Sequence, residues 1–292
     1  MKGIVETIAI DRLKFCCVAT LEQAEIIRDT RDVWDRFDYK IIRVEPISPH
    51  KESFKIQVRH MDFNEDIIYM DFAFMSFGHK LDEDDNEREF EYVWFELDNK
   101  ALYTRFYPNS DYSILSYIYY IIDDLNLTFN NITRLEIAYD TNKNTTKRIR
   151  RALKKYSPMI CGITIKNKFE ELENVDYLCK GNCYRIIKTS AYIETKDKKM
   201  GLRNYDKNSD VLKKSKDYIR TFNKMPSNFY RSEVYIQNEH IKQFCRYYGI
   251  CMDELFYTIE NPKRLIIMFY YFANRLIRFI TPDKKKLTIF DI

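Results

Sequence analysis

The sequence predicts an α+β protein in which a large antiparallel sheet is built from two similar halves and followed by a helical C-terminal segment. Hydrophobic residues make up 45% and charged residues 32% of the 292-residue chain, a composition typical of globular proteins. Many segments alternate apolar and polar residues with a period of two, as half-buried strands do. Helical patterns interrupt these strands in the same order twice, which favours helices segregated to one face of an antiparallel sheet.

The first half, about residues 1–128, is predicted to run strand, helix, several strands, helix. Five apolar residues between Ile114 and Leu125 recur at helical spacing and give its second helix an apolar stripe. β-Branched and aromatic residues at alternating positions mark the strands. The predicted strands lie near 12–18, 40–45, 53–60, 66–75, 90–97 and 101–107, and the first helix lies near 22–34.

The second half, about residues 129–250, repeats this order without visible sequence repetition, so residues 1–250 are predicted to form one domain of two pseudo-repeated halves. Its predicted strands lie near 132–139, 160–165, 185–194, 200–205 and 228–237, with helices at 145–156 and from Glu239. The remaining segment, 251–292, is predicted to be helical over about 252–280 and to end in a short strand at 286–290.

Several protein classes are disfavoured. The most apolar segment contains Arg275 and Arg278, which argues against a membrane span, and the N-terminal residues lack the apolar core of a signal peptide. Seven cysteines at irregular spacing indicate reduced thiols, so a cytoplasmic location is expected. No glycine-rich phosphate loop is present, and none of the four histidines is paired at metal-ligand spacing. Cys179 and Cys183 have no second pair to complete a zinc site.

Charge is divided unevenly along the chain. Residues 1–100 hold 14 of the 48 basic and 23 of the 44 acidic side chains, which leaves 34 basic and 21 acidic ones in the rest. A basic later region favours contact with a polyanion. The alternative is two solvated surfaces of unequal charge.

Charged side chains occupy alternate positions on three predicted strands, so each strand has one polar face. Where such faces meet, three carboxylates could converge on a divalent cation, which prefers oxygen ligands. The alternative is an exposed sheet face with cross-strand ion pairs, each worth about 0.2–1 kcal/mol, and alternation alone favours this alternative. The polar faces carry Arg134, Glu136 and Asp140; Arg203, Tyr205 and Lys207; and Arg231, Glu233 and Tyr235.

The segment YIETKDKKMGLRNYDKNSD, from Tyr192, resembles the signature of rolling-circle replication initiators of small plasmids, the Rep_trans group. That signature is an aromatic strand, a Gly-Ser-Arg-x-Ser turn and R-x-Y-[DN]-K-x-x-E. The alignment has no gaps, although Glu194-Thr195 replaces Gly-Ser, Lys198 the second serine and Asp210 the final Glu. The aligned residues are Tyr192, Arg203, Tyr205, Asp206, Lys207 and Asp210.

Two shorter segments lie where the family has them, so the resemblance covers roughly residues 134–237. The upstream R-x-[DE]-x-x-x-D corresponds to Arg134, Glu136 and Asp140, and the downstream R-x-E-x-Q to Arg231, Glu233 and, with two extra residues, Gln237. The resemblance implies a sheet doubled on itself, similar to the saddle of TATA-binding proteins. It also implies a tyrosine that nicks one DNA strand and stays linked to the 5′ phosphate.

Tyr205 is the nucleophile that this resemblance implies. A phenol has an unperturbed pKa of about 10, so its oxygen needs activation. Nearby cations are expected to lower that pKa and to stabilise the transition state, and Mg²⁺ or Mn²⁺ would polarise the scissile phosphate. The expected catalytic cations are Arg203, Lys207 and Arg231, and the expected metal ligands are Glu136, Asp140 and Glu233.

Basic residues of the predicted helix at 145–156 are expected to bind DNA phosphates, since its apolar stripe leaves them on the outer faces. In the C-terminal segment Arg264, Arg275 and Arg278 fall on one side of a helical wheel. This stripe is interpreted as origin recognition or, equally, as arginines extending over a hydrophobic core. The expected DNA-binding residues are Lys147, Arg148, Arg150, Arg151, Lys154, Lys155, Lys196, Lys198, Lys199, Arg275 and Arg278.

The leading hypothesis is therefore a cytoplasmic replication initiator of a plasmid or related mobile element. It would bind origin DNA as a duplex with a locally unpaired strand, with a host helicase and a homodimeric state as further possibilities and no membrane involved. The main alternative is a non-catalytic sequence-specific DNA-binding protein, a repressor or architectural factor, on the same scaffold. A third hypothesis is a related tyrosine enzyme that serves conjugation or transposition.

Overall fold

A computed structural model describes residues 6–29, 33–36, 38–61, 66–79, 89–103, 114–164, 174–179, 182–187, 189–214, 216–224 and 228–292. The chain divides into two compact units. We call Arg12–Arg134 the central unit, and Met1–Asp11 together with Leu135–Ile292 the C-terminal unit. The divisions lie within two strands, between Asp11 and Arg12 and between Arg134 and Leu135, so residues up to Asp11 belong to the C-terminal unit.

The central unit contains seven strands. Its elements are β1 (Glu6–Thr20), α1 (Leu21–Arg28), β2 (Val33–Asp35), β3 (Tyr39–Val44), β4 (His50–Met61), β5 (Ile67–His79), β6 (Phe90–Leu97), α2 (Asn99–Tyr103), α3 (Ile114–Asp124) and β7 (Thr128–Thr141). The ends of β1 and β7 belong to the C-terminal unit. The strand order is β7-β1-β6-β5-β4-β3-β2, and the pairs from β1–β6 to β3–β2 are antiparallel.

The core of the central unit lies between this sheet and α3. Phe15 stacks on Phe95 of the neighbouring strand with ring centroids 4.7 Å apart. Ile118 and Ile121 of α3 line the same small cavity as these two rings, so the apolar stripe predicted for α3 faces the sheet.

The C-terminal unit contains two sheets and most of the helices. Its elements are α4 (Thr145–Lys155), β8 (Ser157–Ile160), β9 (Ile163–Thr164), β10 (Asn174–Cys179), β11 (Asn182–Ile187), β12 (Ser190–Glu194), β13 (Met200–Asp206), α5 (Lys207–Lys214), α6 (Asp217–Asn223), β14 (Tyr230–Gln237), α7 (Asn238–Tyr248), a 3₁₀ turn (Met252–Glu254), α8 (Leu255–Glu260), α9 (Pro262–Leu276), β15 (Ile277–Ile280) and β16 (Lys286–Leu287). The larger sheet has the order β10-β11-β12-β13-β14-β7-β1, and the smaller one β16-β15-β8-β9.

Two faces of the larger sheet differ in chemistry, because side chains alternate along β7, β13 and β14. One face is apolar and includes Leu135, Ile137, Leu202 and Val234, all without exposure. Helices α4 and α9 pack against β13 and β14. The opposite face carries the charged side chains of all three strands and positions the candidate site.

The predicted α+β class and the large antiparallel sheet are confirmed, but several predicted elements are wrong. Each of the strands predicted at 160–165 and 185–194 is observed as two antiparallel strands, β8 and β9 in the first case and β11 and β12 in the second. The strand predicted at 101–107 begins as helix α2, because Asp98 Oδ1 accepts hydrogen bonds from the backbone N–H groups of Lys100 (2.8 Å) and Ala101 (3.2 Å) and starts a helix. Helix α1 ends at Arg28, and Trp34 pairs in β2 with Ile41.

The predicted C-terminal helix is also wrong in extent. Asn261 caps α9 through Lys263 N–H at 2.9 Å, with Pro262 in the first turn. The alternating residues Ile277–Ile280 are not part of this helix. They form β15, which pairs antiparallel with β8. Within the described residues, no helix is long and apolar enough to cross a membrane.

Candidate active site

The charged face of the larger sheet is organised by the pairing of β13 with β14. The antiparallel register places Arg203 opposite Glu233 and Tyr205 opposite Arg231. Side chains at such paired positions lie about 4.5–5.5 Å apart at Cβ. The register therefore brings together four of the residues that the sequence motifs single out.

Tyr205 is hydrogen-bonded on both sides of its phenol oxygen. Its O–H donates to Glu233 Oε2 at 3.0 Å, and Lys207 Nζ donates to Tyr205 Oη at 3.4 Å. Burial and then the Glu233 carboxylate raise the pKa of Tyr205 well above its usual value. The expectation that neighbouring cations lower this pKa is wrong, because burial and Glu233 outweigh the Arg231 charge. The phenol is thus held as a proton donor to a carboxylate.

Lys207 is the first residue of α5 and contacts both Tyr205 and Asp210, the last residue of the R-x-Y-[DN]-K-x-x-E segment. Its side chain is only 4% exposed and pairs with Asp210 Oδ2 at 3.1 Å. Asp210 also pairs with Lys214 at 2.8 Å. Burial, followed by the Arg231 charge, lowers the pKa of Lys207, so this ammonium holds its proton less firmly than an exposed lysine does.

Arg203 is the more accessible cation of the site. Its Nη1 lies 3.1 Å from Glu233 Oε1, and its side chain is 37% exposed. The guanidinium carbon lies 4.9 Å from the ring centroid of Tyr235. That ring in turn crosses Gly201, where a Cβ atom would come within 2.3 Å of it. Glycine at 201 therefore makes room for the aromatic side chain on which Arg203 rests.

Arg231 and Asp140 form a fully buried ion pair. Nε and Nη2 of Arg231 each lie 2.7 Å from an Asp140 carboxylate oxygen, and neither side chain is exposed. The remaining Nη1 of Arg231 binds Asp11. A bidentate pair of this kind fixes both partners in orientation. Arg231 is therefore held by carboxylates and is a positioning residue for this face.

Asp140 is thus not brought together with the other two predicted metal ligands. Both its oxygens are occupied by Arg231. In addition, Asp140 follows Glu136 by four positions in one strand, a distance of about 13 Å at about 3.3 Å per residue. Two carboxylates so far apart along a strand do not share one ion at ligand distances of about 2–2.6 Å.

A cluster of three carboxylates occupies the place expected for a metal. One oxygen from each of Asp11, Glu136 and Glu233 lies within 4.8 Å of the others. The residues come from β1, β7 and β14, which are neighbours in the sheet. Burial and the charges of Asp11 and Glu136 raise the pKa of Glu233. Such a cluster could hold a divalent cation, because the ligands are all oxygens and their repulsion would be relieved by positive charge.

The sequence motifs do not include Asp11, because it lies far along the chain from Glu136 and Glu233, the other two candidate metal ligands. A signal is present in the segment IAIDRLKF, where a carboxylate follows three apolar residues within a predicted β-rich region. In isolation that pattern has many explanations, and only the order of strands identifies its neighbours.

The predicted DNA-binding helix lies behind the charged face. Tyr139, on the apolar face of β7, contacts Phe290 with ring centroids 5.2 Å apart, and Arg148 of α4 donates to the Phe290 carbonyl at 3.4 Å. Helix α4 is therefore on the face opposite Tyr205. Its exposed cations are Lys147, Arg151, Lys154 and Lys155, whereas Arg148 and Arg150 are partly buried.

The other predicted DNA-binding residues lie in two places. Lys196, Lys198 and Lys199 occupy the turn between β12 and β13, where Lys199 pairs with Glu239 at 2.8 Å. Arg275 is in the last turn of α9, but Arg278 is in β15 and so does not continue the helical stripe. The side chains of Cys179 and Cys183 lie outside the described part of the structure.

Comparisons with known proteins find similarity to a solved structure but no matching family model. No family model matches the sequence, and no curated protein matches it. A solved structure, the rolling circle replication initiator protein from Geobacillus stearothermophilus, is similar over 98% of this chain and 92% of that chain, with 12% identity and a TM-score of 0.45. Similarity at this level does not establish a shared function.

Proposed function

We propose that this protein is a replication initiator of a plasmid or related mobile element, which nicks one strand of origin DNA through Tyr205 and later rejoins it. The observation that supports the proposal is the hydrogen bond from the Tyr205 phenol to Glu233, a member of the three-carboxylate cluster. In this one contact Tyr205 is the candidate nucleophile, and Glu233 is both the proton acceptor and a member of the candidate cation site.

The proposed reaction is a transesterification. The Tyr205 oxygen forms a bond to the scissile phosphorus while its proton passes to Glu233 Oε2, which already accepts that O–H at 3.0 Å. The bond from phosphorus to the 3′ oxygen breaks, and this oxygen takes a proton from water. The strand end is left as a 5′-phosphotyrosine, and attack by a 3′ hydroxyl reverses the step and rejoins the strand.

Each charged residue has a proposed part. The accessible guanidinium of Arg203 binds a phosphate oxygen, and Lys207 stabilises the phenolate as the proton leaves. Arg231 fixes Asp11 at the cluster through their ion pair. Mg²⁺ or Mn²⁺, held by Asp11, Glu136 and Glu233 rather than by Asp140, would polarise the phosphate when bound.

The wider proposal concerns DNA and its partners. The cations of α4 and of the turn between β12 and β13 would bind phosphates of the origin duplex outside the cleavage site. The same proposal includes a cytoplasmic location and a saddle-like arrangement of the two halves. It also includes a homodimeric state and a host helicase as partner. The alternative of a non-catalytic DNA-binding protein is favoured by one observation, namely that the exposed cations of α4 lie away from Tyr205.

Relaxation of a supercoiled plasmid that carries the element's own origin tests the nicking proposal. Wild type with Mg²⁺ is expected to relax the plasmid, whereas Tyr205→Phe, which removes one oxygen and keeps the ring, is expected to be inactive. Tyr192→Phe is the matched control, since Tyr192 lies on the neighbouring strand opposite Arg203 and is 39% exposed. Equal relaxation by wild type and Tyr205→Phe would contradict Tyr205 as nucleophile, and an inactive wild type would favour the non-catalytic alternative.

A further inference from the structure

A second polar site lies in the C-terminal unit, away from Tyr205. It is a cavity of about 420 Å³, within the usual range of about 300–1,000 Å³ for small-ligand pockets. The walls combine sulfur-containing and strongly polar side chains from several elements. The lining residues are Met159, Cys161, Gly162, Thr195, Met200, His240, Asn274, Arg275 and Arg278.

Three polar groups of this cavity lack the partners that buried groups normally have. Among the residues that the structure describes, none forms an ion pair or hydrogen bond with the Arg278 side chain. Asn274 Oδ1 and His240 Nε2 are buried without a hydrogen-bond partner, and the nearest acidic oxygen to His240 Nε2, from Asp197, is 4.0 Å away. The cavity therefore presents one unpaired guanidinium to a ligand, and two unsatisfied polar atoms are buried in its wall. An anionic group fits this cation.

Arg275 connects the cavity to an exposed aromatic surface. Its Nη1 donates to Tyr271 Oη at 2.8 Å, and its guanidinium lies 5.4 Å from that ring centroid. Tyr247 lies 5.6 Å from Tyr271 and 4.9 Å from Tyr248, centroid to centroid. Tyr247 is 72% exposed and Tyr248 is 45% exposed. We call Tyr247, Tyr248 and Tyr271 the tyrosine platform.

Exposed aromatic rings beside arginines are the usual means of binding unpaired nucleic acid. Bases stack on such rings with about 1–3 kcal/mol each, whatever their identity. Duplex DNA offers no free base faces to stack, so the platform favours an unpaired strand. The cationic cavity next to it suits the phosphate of that strand.

We propose that the cavity and the tyrosine platform form a binding site for single-stranded DNA, distinct from the nicking site. A backbone phosphate binds Arg275 and Arg278, the base of that nucleotide enters beside Met159 and Met200, and a neighbouring base stacks on Tyr247. That the strand comes from the nicked origin rests on the proposed function. The binding itself does not, because it needs neither Tyr205 nor a metal.

Fluorescence anisotropy with a 5′-labelled 12-nucleotide oligothymidylate in EDTA measures this binding without cleavage. We expect Arg275→Gln/Arg278→Gln to weaken binding at least tenfold and Tyr247→Ala at least fivefold. The matched control, Lys285→Gln/Lys286→Gln, removes the same charge from an exposed segment at the start of β16 and is expected to change binding less than twofold.

The outcomes separate this inference from the nicking proposal. Equal losses in the arginine and lysine pairs would overturn the site, because charge alone would then explain binding. Unlabelled dTMP or inorganic phosphate that displaces the oligonucleotide at equal concentration would also overturn it, since the cavity would then bind a free nucleotide or anion. Normal folding of each variant is checked by its thermal unfolding. Arginine-dependent strand binding by a wild type that forms no covalent adduct would support this site and remove only the nicking proposal.

Discussion

Both faces of the larger sheet in the C-terminal unit contain fully buried side chains, but the energetic cost of burying them differs between the two faces. Leu202 and Val234 on one face have no exposure, and on the other Arg231 and Asp140 have none either. Burial of apolar side chains stabilises the fold, whereas each buried charge costs several kcal/mol in lost hydration. The charged face is therefore poorly explained as a stabilising feature.

The burial of the charged face argues against one of the two sequence interpretations of the alternating charges, the solvated sheet face. A solvated face with cross-strand ion pairs requires exposed side chains, but Glu136 is 5% and Glu233 is 3% exposed. Three carboxylates with oxygens within 4.8 Å of one another, two of them buried and Asp11 partly buried, repel each other unless a proton or cation lies between them. Perturbed titratable groups gathered in this way are characteristic of functional sites.

The largest effect is expected from Asp140→Asn. The change leaves the Arg231 cation buried without its bidentate partner, so the free energy of unfolding should fall by about 3–5 kcal/mol. Leu202→Ala, on the apolar face, should cost a similar amount, about 2–5 kcal/mol. The free energies of unfolding of the two variants are measured by urea denaturation and compared with that of the wild type. A loss below 1 kcal/mol in Asp140→Asn would show that the charged face is solvated after all.

An intermediate effect is expected from Glu136→Gln at the carboxylate cluster. Loss of one anionic ligand should weaken Mn²⁺ binding at least tenfold, or about 1.4 kcal/mol, as measured by titration calorimetry. The control Glu239→Gln removes an exposed carboxylate that pairs with Lys199 and should leave Mn²⁺ affinity unchanged. Undiminished affinity in Glu136→Gln would remove this residue from the proposed metal site.

The same cluster predicts how stability depends on pH in EDTA. Burial and the neighbouring carboxylates raise the pKa of Glu233 in the folded protein, so the folded state binds this proton more tightly than the unfolded state does. The corresponding stability is present below the unfolded pKa of about 4.5 and is lost as pH rises through the higher folded value. Glu136→Gln should make this decline smaller. A steeper decline in the variant would contradict the repulsion on which the site depends.

The sequence identifies some members of this site and misses others for physical reasons. Alternation correctly places Arg203, Tyr205 and Glu233 on one charged face, because the period of a strand is two. It cannot find Asp11, since strand order is a property of the whole fold. Asp140 could have been rejected from the strand rise alone, which separates it from Glu136 by about 13 Å.

Much of the fold is predictable where periodicity is long and unbroken, as in α3 and β6, whose predicted and observed starts agree. Errors occur where a local signal is overridden. The helical pattern before Ile277 continues in the sequence, but pairing with β8 makes the next residues a strand and removes Arg278 from the predicted stripe. Tertiary pairing of this kind leaves little trace in a short segment.

The smallest effect on the site is expected from α4, which lies behind the apolar face. Replacing Arg150, Arg151, Lys154 and Lys155 by Gln should weaken binding to every duplex alike and flatten the salt dependence by about one slope unit per lost phosphate contact. Cleavage at saturating DNA should keep its wild-type rate, because α4 does not contact Tyr205. An unchanged salt slope would show that α4 faces away from the DNA, and slower cleavage at saturation would contradict the separation of the two faces.

The central claim is that Tyr205 becomes covalently joined to DNA, and peptide mapping of the adduct tests it most directly. Wild-type protein is incubated with Mg²⁺ and origin DNA that carries an unpaired cleavage site, then digested with protease and nuclease. Mass spectrometry is predicted to find a 5′-nucleotide attached to the peptide that contains Tyr205, and no such mass in Tyr205→Phe. A nucleotide on the peptide of Tyr192 or Tyr235, or no adduct on the element's own origin, would contradict the account.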